Sequence, residues 1–295
     1  MLNANRNKGL IIAFLIPSVL LYLALMVSPV LLTTVLSFFK WTGVGGSENT
    51  FVGFANYLKV FSDSTFWASV GRLCYFVLLS LIFQLVIGFI LAYLVSLKLK
   101  GSKFFKLSFF LPVVLSMTAV SLMWKMILDR NNGMLNALLK AVGLGSLVQS
   151  WLTNPKLSFT VISLVDQWLC IGTIFVILLA GILTVPSDLY EAADIDGVGA
   201  FRRIFTITIP MIKNVMGVCS VLALSGAMKT FDVFFIMTNG SFGPNNMNMI
   251  PMGLMYNMSF QRSDFGRASV IALFVMVTGA VLSAFVYFKG FKDEA

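Results

Sequence analysis

The stretch LSFTVISLVDQWLCIGTIFVILLAGILTV, from Leu157 to Val185, holds one charged residue, Asp166, in 29 positions. A helix of about 20 apolar residues crosses the hydrocarbon core of a bilayer. In lipid, a helix pairs every backbone N–H and C=O group within its own segment. A run of this length therefore predicts a transmembrane helix and not the shorter strand of a barrel.

The composition of the whole chain places the protein in the same class. Of its 295 residues, 58% are hydrophobic and 11% are charged. Soluble globular domains are about 45–50% apolar and about 25% charged. The chain has too few charges to cover a soluble domain, and its 28 Phe exclude intrinsic disorder. We predict an all-α polytopic membrane protein with one transmembrane domain over residues 1–295.

Six apolar stretches are long enough to cross a membrane. They cover about residues 10–39, 73–97, 104–128, 157–185, 212–237 and 268–288. Loops on one side carry eleven Lys and Arg residues, against six on the other side. Because cytoplasmic loops are enriched in Lys and Arg, this predicts that both termini lie in the cytoplasm.

Several kinds of chemistry are excluded by what the sequence lacks. The chain contains no His, which excludes a His-ligated metal and a Ser-His or Cys-His catalytic pair. It has no phosphate-binding loop of the form G-x-x-x-x-G-K-[ST], so we expect no ATP site of its own. The net charge of +9 is better explained by membrane orientation than by nucleic acid. An ion-coupled secondary transporter, a channel and, least favoured, a membrane-embedded enzyme remain open.

The loop between the fourth and fifth stretches differs from the others. It reads PSDLYEAADIDGVGAFRRIFTITIP, from Pro186 to Pro210. Ser187 and Asp188 are candidate N-cap residues after Pro186, which predicts a helix to about Ile195. Gly197 and Gly199 then allow a sharp reversal of the chain. A second amphipathic helix follows and is interrupted near the membrane surface by Pro210.

This helix has two readings from the residues alone. In the first reading it is a docking helix that binds a partner protein. Ala192 and Ala193 allow close approach of the partner, and Glu191 pairs with a partner Arg. The second is a plain amphipathic connector between two spans. The residue pattern does not separate these two interpretations.

The same loop carries a resemblance to a known family. Its pattern resembles the hallmark E-A-A loop of the membrane subunits of binding-protein-dependent ABC importers, with Ile209 in place of the usual Leu and Val198 in place of the usual Ala. Other stretches of the sequence are similar to sequences of the maltose and multiple-sugar branch of that family. The residues that carry the loop pattern are Glu191, Ala192, Ala193, Gly197, Ile207, Ile209 and Pro210, and the similar phrases lie at 104–128, 151–158, 185–201, 231–240 and 265–268.

The resemblance implies a permease subunit in the cell membrane of a bacterium. It implies a second homologous permease subunit, two copies of a cytoplasmic ABC ATPase that holds ATP and Mg²⁺, and an extracellular solute-binding protein that delivers a sugar. It implies no cofactor on this chain and no enzymatic activity of its own. A glycerol-phosphate-type importer is the alternative within the family. The residues to which the resemblance assigns ATPase coupling are Glu191, Ala192, Ala193, Asp196 and Gly197.

Polar residues inside the apolar stretches are candidates for the substrate pathway. A charged residue at the centre of a span is costly, so it tends to face the protein interior or water. Lys229 and Asp232 are three residues apart, so we expect them to share one helix face. In the other reading these two residues pair only with each other, and Asp166 holds a neighbouring helix. The candidate pathway residues are Asp166, Gln167, Trp168, Lys229, Thr230 and Asp232.

Overall fold

The computed structural model describes residues 8–43 and 49–290. The predicted cytoplasmic ends of the chain, 1–7 and 291–295, lie outside the described residues. Within the described ranges the chain is mostly helical, which confirms the predicted class. One short antiparallel pair of strands, Phe39–Lys40 with Thr50–Phe51, is an addition that the sequence did not predict.

Four helices of the described chain are long and apolar enough to cross a membrane. They match four of the predicted stretches, but the second begins nine residues before its predicted start at residue 73. They are Ala13–Leu36, Ser64–Ser96, Ser158–Leu183 and Phe265–Phe288.

The third and fifth predicted spans are each part of a bent pair of helices. Ser102–Val114 and Met117–Ile127 meet at 102°, and Ala200–Met211 meets Lys213–Lys229 at 77°. In the first pair Pro112 precedes the break, and Leu115 is extended, with ψ 147°. A count of six spans requires each bent pair to cross once, and it stays a prediction.

Two π-helical turns precede prolines inside helical stretches. Leu23–Val27 lies before Pro29, and Ile204–Thr208 lies before Pro210. A proline ring clashes with the carbonyl four residues earlier in an α-helix, and a wider turn relieves that clash. The predicted interruption at Pro210 is therefore shifted, because the helix runs on to Met211 and bends at Ile212.

The remaining elements complete the course of the chain. The α-helical segments, in order, are Lys8–Tyr22, Ser28–Leu36, Ala55–Phe61, Ser64–Leu81, Gly88–Ser96, Ser102–Val114, Met117–Ile127, Met134–Ala141, Ser158–Leu183, Ser187–Ile195, Ala200–Arg203, Ile209–Met211, Lys213–Lys229, Asp232–Met237, Pro251–Tyr256 and Phe265–Gly290. Further π-helical turns are Ile82–Ile87 and Asn257–Gln261, and 3-10 turns are Gly145–Leu147 and Pro244–Asn246.

The chain divides into two compact units. The first comprises Met1–Trp67 and Leu254–Phe274. In its described part, the Asn56 amide donates to the backbone oxygens of Ser37 and Phe39, at 2.9 Å each. These bonds hold the end of the first long helix against the short helix Ala55–Phe61.

The second unit comprises Ala68–Gly253 and Val275–Ala295 and contains the residues considered for function. Its core forms where Gly88–Ser96 and Ser102–Val114 pack on Ser158–Leu183. Burial of this apolar cluster fixes the helix that carries Asp166. The buried members of the cluster are Phe89, Ala92, Ile174, Phe175, Leu178, Leu179, Ile182, Ile212 and Cys219.

Candidate functional site

A cavity of about 490 Å³ lies among the helices of the second unit. Its volume falls in the range of about 300–1,000 Å³ that is typical of small-molecule sites. Four of the predicted pathway residues meet there. They are Asp166, Lys229, Thr230 and Asp232.

Two broken helices supply part of the cavity wall. Pro112, Leu115 and Met117 come from the bend in the third apolar stretch. Thr230 and Phe231 come from a second break, between Lys213–Lys229 and Asp232–Met237. Discontinuous membrane helices often line binding sites, because their freed backbone groups need a polar surrounding.

The Asp166 carboxylate is almost fully buried, with 3% of the residue exposed, and it lines the cavity. One of its oxygens, Oδ2, accepts from the Gln167 amide at 3.3 Å and lies 4.0 Å from the Cys170 sulfur. Its other oxygen has no hydrogen-bond partner among the described residues. Asp166 therefore keeps an acceptor available to the cavity.

Gln84 also lines this cavity, and it is not among the candidate pathway residues from the sequence. Its amide donates to Gln167 Oε1 at 2.7 Å, and Gln167 in turn donates to Ser80 Oγ at 2.8 Å. Gln167 itself is fully buried and does not line the cavity. It joins two helices and positions Gln84. A polar residue inside an apolar stretch was the available signal for Gln84.

Trp168 lies away from the cavity. Two residues along an α-helix correspond to about 200° of rotation, which puts Trp168 on the face opposite Asp166. There its ring meets Trp124 edge to face, with ring centroids 5.7 Å apart. The structure therefore does not bring Trp168 together with the other candidate pathway residues.

The expectation that Lys229 and Asp232 share one helix face is wrong. The helix ends at Lys229, because Thr230 has ψ 131° and Phe231 has φ −150°. Asp232 begins a new short helix. The two side chains still line the same cavity, but among the described residues they form no ion pair with each other.

The predicted helix after the fourth span is present as Ser187–Ile195. It ends in two hydrogen bonds, from Val198 N–H to the Ala193 oxygen at 2.9 Å and from Gly197 N–H to the Asp194 oxygen at 3.2 Å. This is the Schellman arrangement, which needs a residue with positive φ at its turn. Gly197 supplies it with φ +70°, and the predicted reversal at this residue is confirmed.

The start of that helix differs from the prediction. Pro186 occupies the N-cap position, and no side chain caps the first turn. Ser187 and Asp188 are already inside the helix, where Ser187 Oγ donates to Asp188 Oδ1 at 3.4 Å. The Asp188 carboxylate still lies near the positive end of the helix dipole, where a negative charge is favourable.

One face of this helix is exposed and the other is anchored. Glu191, Ala192 and Asp196 are exposed, and Ile195 is 87% exposed. Ala193 is only 6% exposed, which corrects the expectation that it projects outward. The inward face follows from helical spacing, since residues three apart lie on the same side.

Two contacts fix this helix to the segment that follows it. Tyr190 and Thr208 are joined by a hydroxyl–hydroxyl hydrogen bond of 3.0 Å. Arg203 Nη1 forms an ion pair of 2.7 Å with Asp194 Oδ1. We define the exposed face as Glu191, Ala192, Ile195 and Asp196. The helix that carries this face is therefore attached to the following segment of the chain.

A second, smaller cavity of about 290 Å³ adjoins the start of Ser158–Leu183, at the end opposite the exposed face. Lys125, which lines it, donates a hydrogen bond to Asn239 Oδ1. Backbone N–H groups of Asn132 and Asn131 hold the pKa of the Asp129 carboxyl below its usual value. Asp129 is therefore ionised at neutral pH at the rim of this cavity.

Comparison with known proteins places the chain in a family. Residues 76–289 match the family described as "Binding-protein-dependent transport system inner membrane component". The chain is 34% identical to the "Probable ABC transporter permease protein YurN" of Bacillus subtilis, over 98% of this chain and 99% of that protein. It is 30% identical to the "Multiple sugar-binding transport system permease protein MsmF" of Streptococcus mutans, over 92% and 91% of the two chains.

The fold is also that of a solved structure. A chain from the crystal structure of a bacterial ABC transporter that imports the acidic polysaccharide alginate superposes with a TM-score of 0.81, covering 96% of this chain and 94% of that one, at 20% identity. The family match spans most of the chain and includes the cavity and the exposed face. This protein belongs to the inner membrane components of binding-protein-dependent transport systems, the ABC transporter permeases.

Proposed function

We propose that this chain is a permease subunit of an ATP-driven importer that carries a sugar into the cytoplasm. The sugar class is supported by the name of the similar MsmF protein. The proposed assembly contains a second homologous permease subunit, two copies of a cytoplasmic ABC ATPase and an extracellular solute-binding protein. ATP and Mg²⁺ bind to the ATPase in this scheme, and the chain itself carries no cofactor.

The observation that carries the proposal is the exposed face of Ser187–Ile195. A short helix whose exposed side chains are a carboxylate and small or apolar groups can bind in a groove on the surface of a partner protein. Its contacts with Thr208 and Arg203 attach it to the segment that follows, so a displacement of this helix can pass to that segment. We assign ATPase contact to this face and to the Gly197 turn, while buried Ala193 contributes by packing.

The cavity that contains Asp166 is the proposed sugar site. Its polar groups can bind hydroxyl groups, and the ring of Phe231 offers an apolar surface beside them. The two helix breaks in its wall are places where the backbone can bend without disrupting a continuous helix. We propose that closure of the ATPases moves the exposed face and opens this cavity outward, and that hydrolysis restores the inward-facing state.

The test is co-purification of the complex from native membranes, followed by measurement of ATPase activity with and without loaded binding protein. We expect Glu191→Ala and Gly197→Asp to lose the stimulated activity or the ATPase subunit, while the membrane fold persists. Leu138→Ala is the matched control, since it removes an exposed side chain from another short helix, Met134–Ala141. A fully active complex that carries Gly197→Asp would contradict the assignment.

Transport assays separate this proposal from a secondary transporter. Uptake by cells that lack the ATPase subunit should be absent in the proposed scheme. Uptake that persists there and collapses with an ionophore would instead favour ion coupling.

A further inference from the structure

A third cavity, of about 600 Å³, lies where the end of one long helix meets the loop 186–210. Lys98, just after the helix Ser64–Ser96, and Arg203, from the loop, both line it. The helix Ser158–Leu183 also ends at this cavity, so the two membrane helices end on the same side of the bilayer. The distribution of Lys and Arg predicts that this side is cytoplasmic.

The charged residues that line this cavity, among those that the structure describes, are two cations, Lys98 and Arg203. Arg203 Nη1 pairs with Asp194 Oδ1, and Asp194 does not line the cavity. A guanidinium group has five N–H donors, so Arg203 retains donors for a second acceptor. Within the described chain, no hydrogen bond uses the Lys98 ammonium group or the hydroxyl of Tyr93, which also lines the cavity. The cavity therefore offers positive charge and unused donors.

Much of the remaining wall is apolar and is formed by Leu97, Ile182, Leu183 and Val185. Leu97 is 49% exposed and Leu183 is 56% exposed, so the apolar surface continues onto the outside of the two helices. Both residues lie at the end of a membrane helix, where the acyl chains of a bilayer give way to the headgroups. A ligand with an anionic part and an apolar part is complementary to such a wall.

The sequence beside the cavity is basic as well. Lys98, Lys100, Lys103 and Lys106 lie within nine residues directly after the helix Ser64–Ser96. Basic clusters on the cytoplasmic side of a membrane helix attract anionic lipids, and basic pockets between such helices bind lipid headgroups. The cluster concentrates anionic lipid near the cavity, and the cavity supplies a defined site.

We propose that this cavity binds an anionic phospholipid from the membrane. Lys98 and Arg203 bind the headgroup phosphate, and the Tyr93 hydroxyl donates to one of its oxygens. The first acyl carbons pack on Leu97 and Leu183. Free phosphate shares the anionic group but leaves the apolar wall without a partner, so the cavity favours the lipid.

The bound lipid lies next to the helix that carries the exposed face. Arg203, which pairs with Asp194, lines the cavity, and so does Tyr190, which bonds Thr208. Both contacts that attach the helix Ser187–Ile195 to the following segment therefore border the lipid. The inference requires that the chain lies in a membrane, and it does not depend on which compound is transported.

The test is photo-crosslinking from Leu183 in the full complex, reconstituted in nanodiscs with equal amounts of phosphatidylglycerol and phosphatidylcholine. Mass spectrometry of the adducts gives the ratio of the two lipids. At Leu183 we expect phosphatidylglycerol to exceed phosphatidylcholine about tenfold, because two cations favour the anionic lipid. Val86, which is 53% exposed on the helix Ser64–Ser96, is the control position and should capture both lipids equally.

The variants identify the residue responsible. Lys98→Gln should lower the lipid ratio at Leu183 about fivefold, because it removes one of the two cations. Lys98→Arg keeps the charge and should retain most of the ratio. Lys100→Gln is the matched control, because Lys100 is exposed two residues away and does not line the cavity. That control should leave the ratio nearly unchanged.

Several outcomes overturn the inference. These are the same lipid ratio at Leu183 and Val86, a ratio that Lys98→Gln does not lower, an equal loss in Lys100→Gln, and adducts from Leu183 with protein alone. Loss of the phosphatidylglycerol adduct on addition of inorganic phosphate at constant ionic strength would show instead that the cavity binds phosphate from solution. Stimulation of ATPase activity by loaded binding protein, measured on the same preparation, reports separately on the proposed function.

Discussion

Gln84 donates a 2.7 Å hydrogen bond to Gln167 across the helices Ser64–Ser96 and Ser158–Leu183. Both side chains are buried, and Ser80 completes the group by accepting from Gln167 at 2.8 Å. Polar groups away from water are stable only when they are paired. This link therefore fixes the rotation of the helix that presents Asp166 to the cavity.

Replacing Gln167 with Leu should destabilise the protein by about 1–3 kcal/mol, because it leaves Gln84 and Ser80 without their shared partner. The measurement is thermal unfolding in detergent. The double variant with Gln84→Leu should lose less stability than the sum of the losses in the two single variants, since the interaction between the two amides is removed only once. Strict additivity would show that the two amides are not coupled.

Gly172 marks a close approach of two helices. A Cβ atom there would lie 2.6 Å from the Phe109 backbone oxygen, so Gly172→Ala should force the helices apart and cost about 1–3 kcal/mol. The matched control is Gly71→Ala, because a Cβ at Gly71 meets nothing within 4 Å. The control should be neutral or stabilise the helix by about 0.5–1 kcal/mol. Equal unfolding temperatures for the two variants would disprove the close-packing argument.

The ion pair between Arg203 and Asp194 should matter more for coupling than for stability. Its side chains are 21% and 62% exposed, and such surface pairs contribute about 0–1 kcal/mol. Arg203→Gln should therefore unfold near the wild-type temperature but lose several-fold in stimulated ATPase activity. The double variant that exchanges the charges, Arg203→Asp with Asp194→Arg, should restore part of the stimulated ATPase activity. Full stimulation in the single variant would remove this pair from the coupling scheme.

The turn at Gly197 gives a graded test. Its φ is +70°, and a Cβ there would meet nothing within 4 Å, so a side chain is penalised by backbone strain and not by collision. Gly197→Val should lower the free energy of unfolding by about 1–2 kcal/mol. Gly197→Asn should lower it less, because asparagine tolerates this conformation. Stimulated ATPase activity should fall in the order Gly, Asn, Val. The same activity in all three variants would mean that the turn conformation is not required.

Much of the architecture follows from apolar run length. The spans at Leu157–Val185 and near residues 268–288 are present within a few residues, because a long uninterrupted apolar run has only the helix as a paired backbone structure. The helix Ser187–Ile195 was also predictable, since Pro186 and the Gly197 turn bound it on both sides.

The breaks inside apolar runs were not predictable from that pattern. Thr230 and Phe231 leave the helix although neither is a Gly or a Pro, and this break separates Lys229 from Asp232. Trp168 was grouped with Asp166 by proximity in sequence, whereas helical rotation places it on the other side. Gln84 is not among the candidate pathway residues, because its hydrogen-bond partner Gln167 lies 83 residues away along the chain.

The most direct test of the central claim is site-specific photo-crosslinking from Ile195, in the exposed face, within the complex in native membranes. Leu58, which is 72% exposed on the helix Ala55–Phe61, is the control position. The account predicts an adduct between Ile195 and a nucleotide-binding ATPase subunit, and none with that subunit from Leu58. No ATPase adduct from Ile195, or the same adduct from both positions, would contradict it.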